Sequence, residues 1–219
     1  MKRKILIVAL GFLASTTMLS AENWKPRDYS RYNYKNFTEI KALQRKISDK
    51  NPDTALLNAA IFYETNRQRV LNGRKPFRYS SALEKAAQGH SRDMAKYNFY
   101  SHKSPVKGKR TPGMRMKQEG IPRAYTAENI HIGIVMNFIA GKPFRVKKDG
   151  YYYGKKKIEN RTYLQLAKKM VKDWMKSPGH RRNILNPRLK YLGCGTYPFR
   201  YRSKWSAFKA TQNFAGKVR

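Results

Sequence analysis

Trp174-Met175-Lys176-Ser177-Pro178-Gly179-His180-Arg181-Arg182-Asn183-Ile184-Leu185-Asn186-Pro187 marks the end of a helix and the start of a turn. Before it, Leu164, Ala167, Met170, Val171 and Trp174 recur at helical spacing, and Lys168, Lys169, Lys172 and Lys176 take the other faces. Asn160 is the expected cap of this helix. Pro178 and Gly179 are its expected stop, because proline has no amide to donate and its ring blocks continuation. His180 follows at once, then a short apolar turn closed by Asn186-Pro187.

Working outward, Asp53 is a plausible cap for a helix carrying Ala55, Leu56, Ala59, Ala60, Phe62, Tyr63, Val70 and Leu71, with Asn72-Gly73 as its stop. Ser80 or Ser81 caps a second helix running to about Tyr97. Leu83, Ala86, Ala87, His90, Met94 and Tyr97 share one of its faces. Ile40, Leu43 and Ile47 predict a further helix over 37–47. The tyrosine-rich segment 22–37 reads as an arm or strap. Met114–Glu119 allows at most a short helix. Asp149-Gly150 predicts a hairpin within 142–158. Two strands are expected near the end, over 189–198 and 205–215. Gly193 and Gly195 within a strand point to close backbone approach. The sum is an α+β chain: helices on both faces of a small, mainly antiparallel sheet.

Composition narrows the setting. Residues 1–21 read as a signal peptide: the basic start Met1-Lys2-Arg3-Lys4, an apolar run and Ser20-Ala21. Residues 22–52 form the arm with its short helix, and residues 53–219 form one domain. Cys194, the single cysteine, lies between two glycines, so stability rests on packing and a buried, inert thiol is expected. The net charge of +35 comes from 48 basic and 13 acidic residues; without the leader's three basic residues it is +32. Such a chain attracts polyanions. Export favours an anionic glycan, lipopolysaccharide or membrane surface over nucleic acid. A uniformly basic proteome would give the same charge without any specific partner. No second apolar stretch is long enough to span a bilayer.

Chemistry is sparse. His102 and His180 each follow a small residue at a turn, and Glu128-Asn129 precedes an apolar segment. Two imidazoles and a carboxylate suit a zinc-like ion with an open position, and equally suit a hydrogen-bonded polar cluster. No HExxH, paired-cysteine or GxSxG pattern is present. Glu119 and Glu128 are the pair a glycosidase reading would use. His90 reads as a core-edge histidine, and Glu64 with Arg67 as a local helix pair. The strongest polyanion candidate is the hairpin, where Lys142, Arg145, Lys147, Lys148, Lys155, Lys156 and Lys157 are interleaved with tyrosines. Arg181 and Arg182 flank the expected cleft.

These stretches resemble, in order, the CAP superfamily of cysteine-rich secretory, antigen 5 and pathogenesis-related 1 proteins, in its bacterial SCP-like form. The residues that carry the resemblance are Asn66-Arg67, the run His90 to Ala95, Phe99 to Pro105, Glu128-Asn129-Ile130, Trp174 to Pro187 and Thr211-Gln212-Asn213-Phe214. The resemblance implies an α-β-α sandwich whose cleft holds two histidines and two glutamates able to take a divalent ion. His102, Glu128 and His180 match three of these positions. The second glutamate falls at Ser177, so the tetrad is incomplete, and Ala127 replaces the usual glycine. The family shares no single reaction, and its members are associated with sterol or lipid binding, membrane or protein interaction and occasional proteolysis. The expectation is a secreted or periplasmic, non-enzymatic binding protein with no cofactor, or with a weakly bound divalent cation such as zinc. Its rivals are a metal-assisted hydrolase of cell-wall, peptide or phosphodiester substrates and a non-specific nucleic-acid or heparin-like binder.

Overall fold

The computed structural model describes residues 24–122 and 125–218. The expected signal peptide lies outside them. Helix α1 (Thr54–Leu71) starts where the Asp53 carboxylate accepts the Leu56 amide at 2.9 Å, and it stops at Asn72, with Gly73 at φ +69°. Strand β1 (Arg78–Tyr79) leads into α2 (Ser81–Lys96), capped by Ser80. Then come α3 (Pro112–Gln118), β2 (Thr126–Ile134), β3 (Arg145–Lys147), β4 (Gly150–Tyr153), β5 (Lys156–Lys157), α4 (Tyr163–Lys176), α5 (Pro178–Leu185), β6 (Tyr191–Tyr201) and β7 (Trp205–Ala215).

The central sheet runs β1-β6-β7-β2, with β1 parallel to β6 and the other pairs antiparallel. Side chains alternate across it. Leu192, Cys194, Phe208, Ala210 and Phe214 point into the larger core, with Leu57, Ile61, Met170 and Trp174 from α1 and α4. Leu83, Ala86, Met116, Ile121 and Ala215 form a smaller core on the other face, under α2 and α3. The molecule is therefore the expected three-layer sandwich. Cys194 is buried, and burial raises its thiol pKa well above normal, in keeping with an inert group.

The strand glycines set the distance between sheet and α2. A Cβ on Gly193 would lie 2.0 Å from the Glu84 amide nitrogen, and one on Gly195 would lie 2.1 Å from that of Gln88. With the helix this close, Ser91 Oγ donates to the Gly195 carbonyl at 2.8 Å.

Three local expectations are corrected. Residues 37–47 form two 3-10 turns, Phe37–Glu39 and Lys41–Gln44, separated by an extended Ile40. Phe37, Leu43 and Ile47 are all buried, but a continuous helix is not needed to bury three side chains spaced this way. The cap of α4 is Thr162, which shares a capping box with Gln165. Asn160 instead donates to the Ile47 carbonyl at 3.0 Å. Pro178 ends α4 but also opens α5, since the first turn of a helix tolerates a missing amide. The expected hairpin forms, β3 pairing antiparallel with β4, and β5 adds a third strand to make a ribbon outside the central sheet.

From Trp24 onward the arm straps across the domain. Tyr29 stacks on Tyr79 with centroids 3.8 Å apart and meets Phe62 edge-on. Pairing of Lys46 with Thr162 ties the strap's end to the start of α4.

Candidate functional site: a histidine cleft along the open edge of strand β2

One edge of β2 pairs with β7, and the other faces the loop after α2 and the end of α4. That open edge is closed by side chains. The Ile130 carbonyl accepts from Trp174 Nε1 at 3.0 Å and from Tyr100 Oη at 3.2 Å. Side chains thus take the place of a neighbouring strand.

On the α2 side of this edge, Glu128 is buried and fully engaged. Its Oε1 accepts from His102 Nδ1 at 2.8 Å, and its Oε2 from the Arg115 guanidinium at 2.7 Å. With its amide oriented to satisfy both ends, Asn213 adds a 3.1 Å bond to Oε2 and accepts the Ala87 amide. Arg115 also donates to the carbonyls of His102 and Lys109, at 3.2 and 2.8 Å, so one guanidinium neutralises Glu128 and shapes the loop that presents His102. His102 remains half exposed, and Glu128 fixes its ring with Nδ1–H inward and Nε2 outward.

His90 lies beneath them and is fully buried. Its Nε2–H donates to the Ser101 carbonyl at 3.1 Å, and Nδ1 has no partner. Burial lowers its pKa to about 4. The Arg115 and His102 charges push the same way, while Glu128 and the Ser101 carbonyl oppose them. Although Glu128 Oε1 is 3.8 Å away, a neutral imidazole makes no ion pair with it at neutral pH. The unfolded chain takes up this proton near the ordinary value of 6.5, and the folded chain only near 4. Stability is therefore fully present above about pH 6.5 and falls as the pH drops toward 4. By linkage the loss amounts to about 3 kcal/mol. His90→Gln, which keeps a donor for Ser101, is expected to flatten this slope in urea titrations run between those pH values. An unchanged slope would assign the acid lability elsewhere.

On the other side, Asn129 Nδ2 donates to Gln212 Oε1 at 3.0 Å and to the His180 carbonyl at 3.3 Å. Asn183 on α5 donates to Asn129 Oδ1 at 2.9 Å, and Gln212 donates to Thr65 on α1 at 2.7 Å. This amide chain pins α5, β2, β7 and α1 together. It places His180 where burial first, then the His102 and His131 charges, lower its pKa. His131 and Asp173 are site residues that the sequence reading did not single out. His131 Nε2 lies 3.2 Å from Asp173 Oδ2, which Lys169 also pairs. Burial would raise the Asp173 pKa, but the bonds from His131 and Lys169 outweigh it and hold it at about 2. Asp173 is thus an acid that α4 holds against His131 of β2, one turn before Ser177.

The expected cation ligands do not fit a cage. Among the described residues, no three of His, Cys, Asp and Glu are arranged to hold a metal ion. Glu128 is already neutralised by Arg115 and bonded at both oxygens. Ser177 sits at the junction of α4 and α5 and supplies no carboxylate. Of the expected flanking cations, Arg181 is turned to Asn72 Oδ1, at 3.2 Å, at the end of α1.

The match to known proteins follows the same elements. The model of the cysteine-rich secretory protein family, CAP, matches residues 62–214. The chain belongs to this family. A Bacillus subtilis protein named YkwD is similar to it, with 31% identity over 153 residues, covering 70% of this chain and 44% of that protein. An extracellular SCP-domain protein from Bacillus anthracis shares the fold at TM-score 0.53 and 24% identity, covering 76% of this chain and 42% of that one. An outer surface protein from Borrelia burgdorferi aligns at TM-score 0.48 and 15% identity, over 80% and 99%. The chain spans less than half the length of the two Bacillus proteins. Among the described residues, no helix of this CAP protein is long and apolar enough to cross a membrane.

Proposed function

We propose that this chain is an exported, non-enzymatic CAP-domain binding protein that attaches to an anionic surface, whether glycan, lipopolysaccharide or membrane. One observation carries the reading: the inserted ribbon displays exposed cations on a stiff stem. Lys142, Arg145, Lys147, Lys148, Lys155, Lys156 and Lys157 are all exposed. Only Lys157 has a carboxylate among the described residues, Asp149 at 3.3 Å. Arg145 pairs across the ribbon with Tyr152, and Tyr152 with Lys157, so these three share a face with Lys147. Lys147 Nζ lies 4.6 Å from the Tyr152 ring, and Lys142 Nζ 4.7 Å from that of Tyr153. Tyrosines flanked by lysines suit sugar rings or headgroups that carry charge.

The stem is held by Arg161, whose guanidinium donates to the carbonyls of Ile134, Met136 and Phe138. A rigid stem lets the cations act together. The histidine cleft serves in this reading as a clamp that fixes β2 and the loop from 101 to 110. The leader-like sequence of residues 1–21, basic and then apolar, and the extracellular description of the Bacillus anthracis protein support export.

Replacing Lys147, Lys148, Lys155, Lys156 and Lys157 by Gln is expected to weaken binding to phosphatidylglycerol vesicles or heparin at least about tenfold near 0.1 M salt, and to flatten its salt dependence. Competition among vesicles, heparin and DNA at one ionic strength ranks the partners. Affinity and salt slope equal to those of the parent chain would remove the ribbon from binding.

A further inference from the structure

A second hollow shares no residue with the histidine cleft or the ribbon. Its volume is about 630 Å³. Six of its twelve lining residues are basic, Arg69, Arg74, Lys75, Arg78, Lys190 and Lys217, and none is acidic. Four pieces of chain meet there: the end of α1 with the loop after it, β1, the approach to β6, and the residues after β7.

Main-chain bonds gather these charges. The Arg74 amide donates to the Arg69 carbonyl, the Arg78 amide to that of Lys190 and the Lys190 amide to that of Ala215, each at 2.9 Å. Among the described residues, none of the six has a carboxylate at salt-bridge distance. Arg69 at the floor is only 3% exposed. It lies 3.8 Å over the Phe77 ring and donates to the carbonyls of Lys75, Ile184 and Asn186. Carbonyls satisfy its donors but supply no negative charge. Burial, and then the charge of Arg74, lower its pKa to about 10. Gathering like charges without a counter-charge costs free energy, and a bound anion would offset it.

The size of the hollow narrows the ligand. It is within the roughly 300–1,000 Å³ range of small-molecule sites, larger than a bare ion needs. Pro76, Pro187 and Tyr191 give it an apolar wall. Guanidinium forks match phosphate oxygens in pairs, and several cations around one site favour an anion of more than one charge.

We infer that this hollow binds a phosphorylated small molecule or headgroup carrying at least two negative charges, its phosphates among Arg74, Arg78 and Lys190 and its organic body against Pro187 and Tyr191. The site is independent of the ribbon and does not rest on the ribbon's role.

The test uses the chain with Arg74→Gln, Lys75→Gln and Lys190→Gln together. All three side chains are exposed, so an unchanged melting temperature shows that the fold survives. Calorimetric titration with inorganic pyrophosphate near 0.15 M salt is expected to show saturable binding that this variant weakens at least about tenfold. The ribbon variant should bind pyrophosphate as the parent does. Vesicles containing phosphatidic acid form the second arm. Pocket-dependent binding to vesicles alone assigns a lipid headgroup, and to pyrophosphate alone a soluble ligand; either supports the site. Equal binding by parent and pocket variant in both arms, or no saturable binding in either, would overturn it.

Discussion

Arg115→Leu is expected to destabilise the chain by about 3–5 kcal/mol, the usual cost of leaving a buried charge without its partner. Glu128 is the charge left behind. Its side chain is 1% exposed, and Arg115 is the cation against it at 2.7 Å. The same guanidinium bonds to the carbonyls of His102 and Lys109, so the loop that carries His102 should loosen too. Urea denaturation measures the first effect, and hydrogen exchange over residues 101–110 the second. Adding Glu128→Leu to Arg115→Leu should recover much of the loss, because two apolar groups bury no charge. A double-mutant cycle reads that coupling. A single variant as stable as the parent would mean that the carboxylate is neutralised in some other way.

Gly195→Ala is expected to cost about 3 kcal/mol or more. The added carbon would meet backbone, 2.1 Å from the Gln88 nitrogen and 2.4 Å from the Ala87 carbonyl carbon. A flexible side chain could swing aside, but a helix backbone must move as a unit, and overpacking of this kind is felt throughout the core. In a domain of this size, that loss lowers the melting temperature by about 10 °C. Gly193→Ala should behave alike, since its added carbon would lie 2.0 Å from the Glu84 nitrogen. Gly179→Ala is the control. It sits inside α5, and its added carbon would meet only Arg182, at 3.9 Å. Thermal melts of the three variants should separate the two strand glycines from the helical one. Equal melting temperatures for all three would show that α2 does not lie as close to the sheet as described.

Helices α2 and α4 were legible in the sequence because each buries one stripe, and α1, which is buried all round from Leu56 to Asn66, because it carries a recognisable cap and stop. The strand glycines were legible because a strand has little other use for them. Segment 37–47 was misread because Phe37, Ile40, Leu43 and Ile47 recur at three- and four-residue steps, which successive 3-10 turns can also satisfy. Pro178 was read only as a terminator, although proline suits the first turn of a new helix equally well. In the site, His102 and His180 stood out as scarce residue types at turns, and Glu128 as a scarce acid before an apolar segment. Arg115 did not, because one arginine among 48 basic residues carries no signal until a buried carboxylate is seen beside it. The same is true of the cationic hollow, whose members come from four separated stretches and meet only through main-chain pairing.

The proposal that binding runs through the ribbon, with the histidine cleft acting as a clamp, is tested most directly by comparing two variants on phosphatidylglycerol vesicles at several salt concentrations. The five-fold lysine-to-glutamine ribbon variant is predicted to lose most co-sedimentation at every salt concentration. The His102→Ala, His180→Ala double variant is predicted to follow the parent curve. Full binding by the ribbon variant together with loss of binding by the histidine variant would contradict the account.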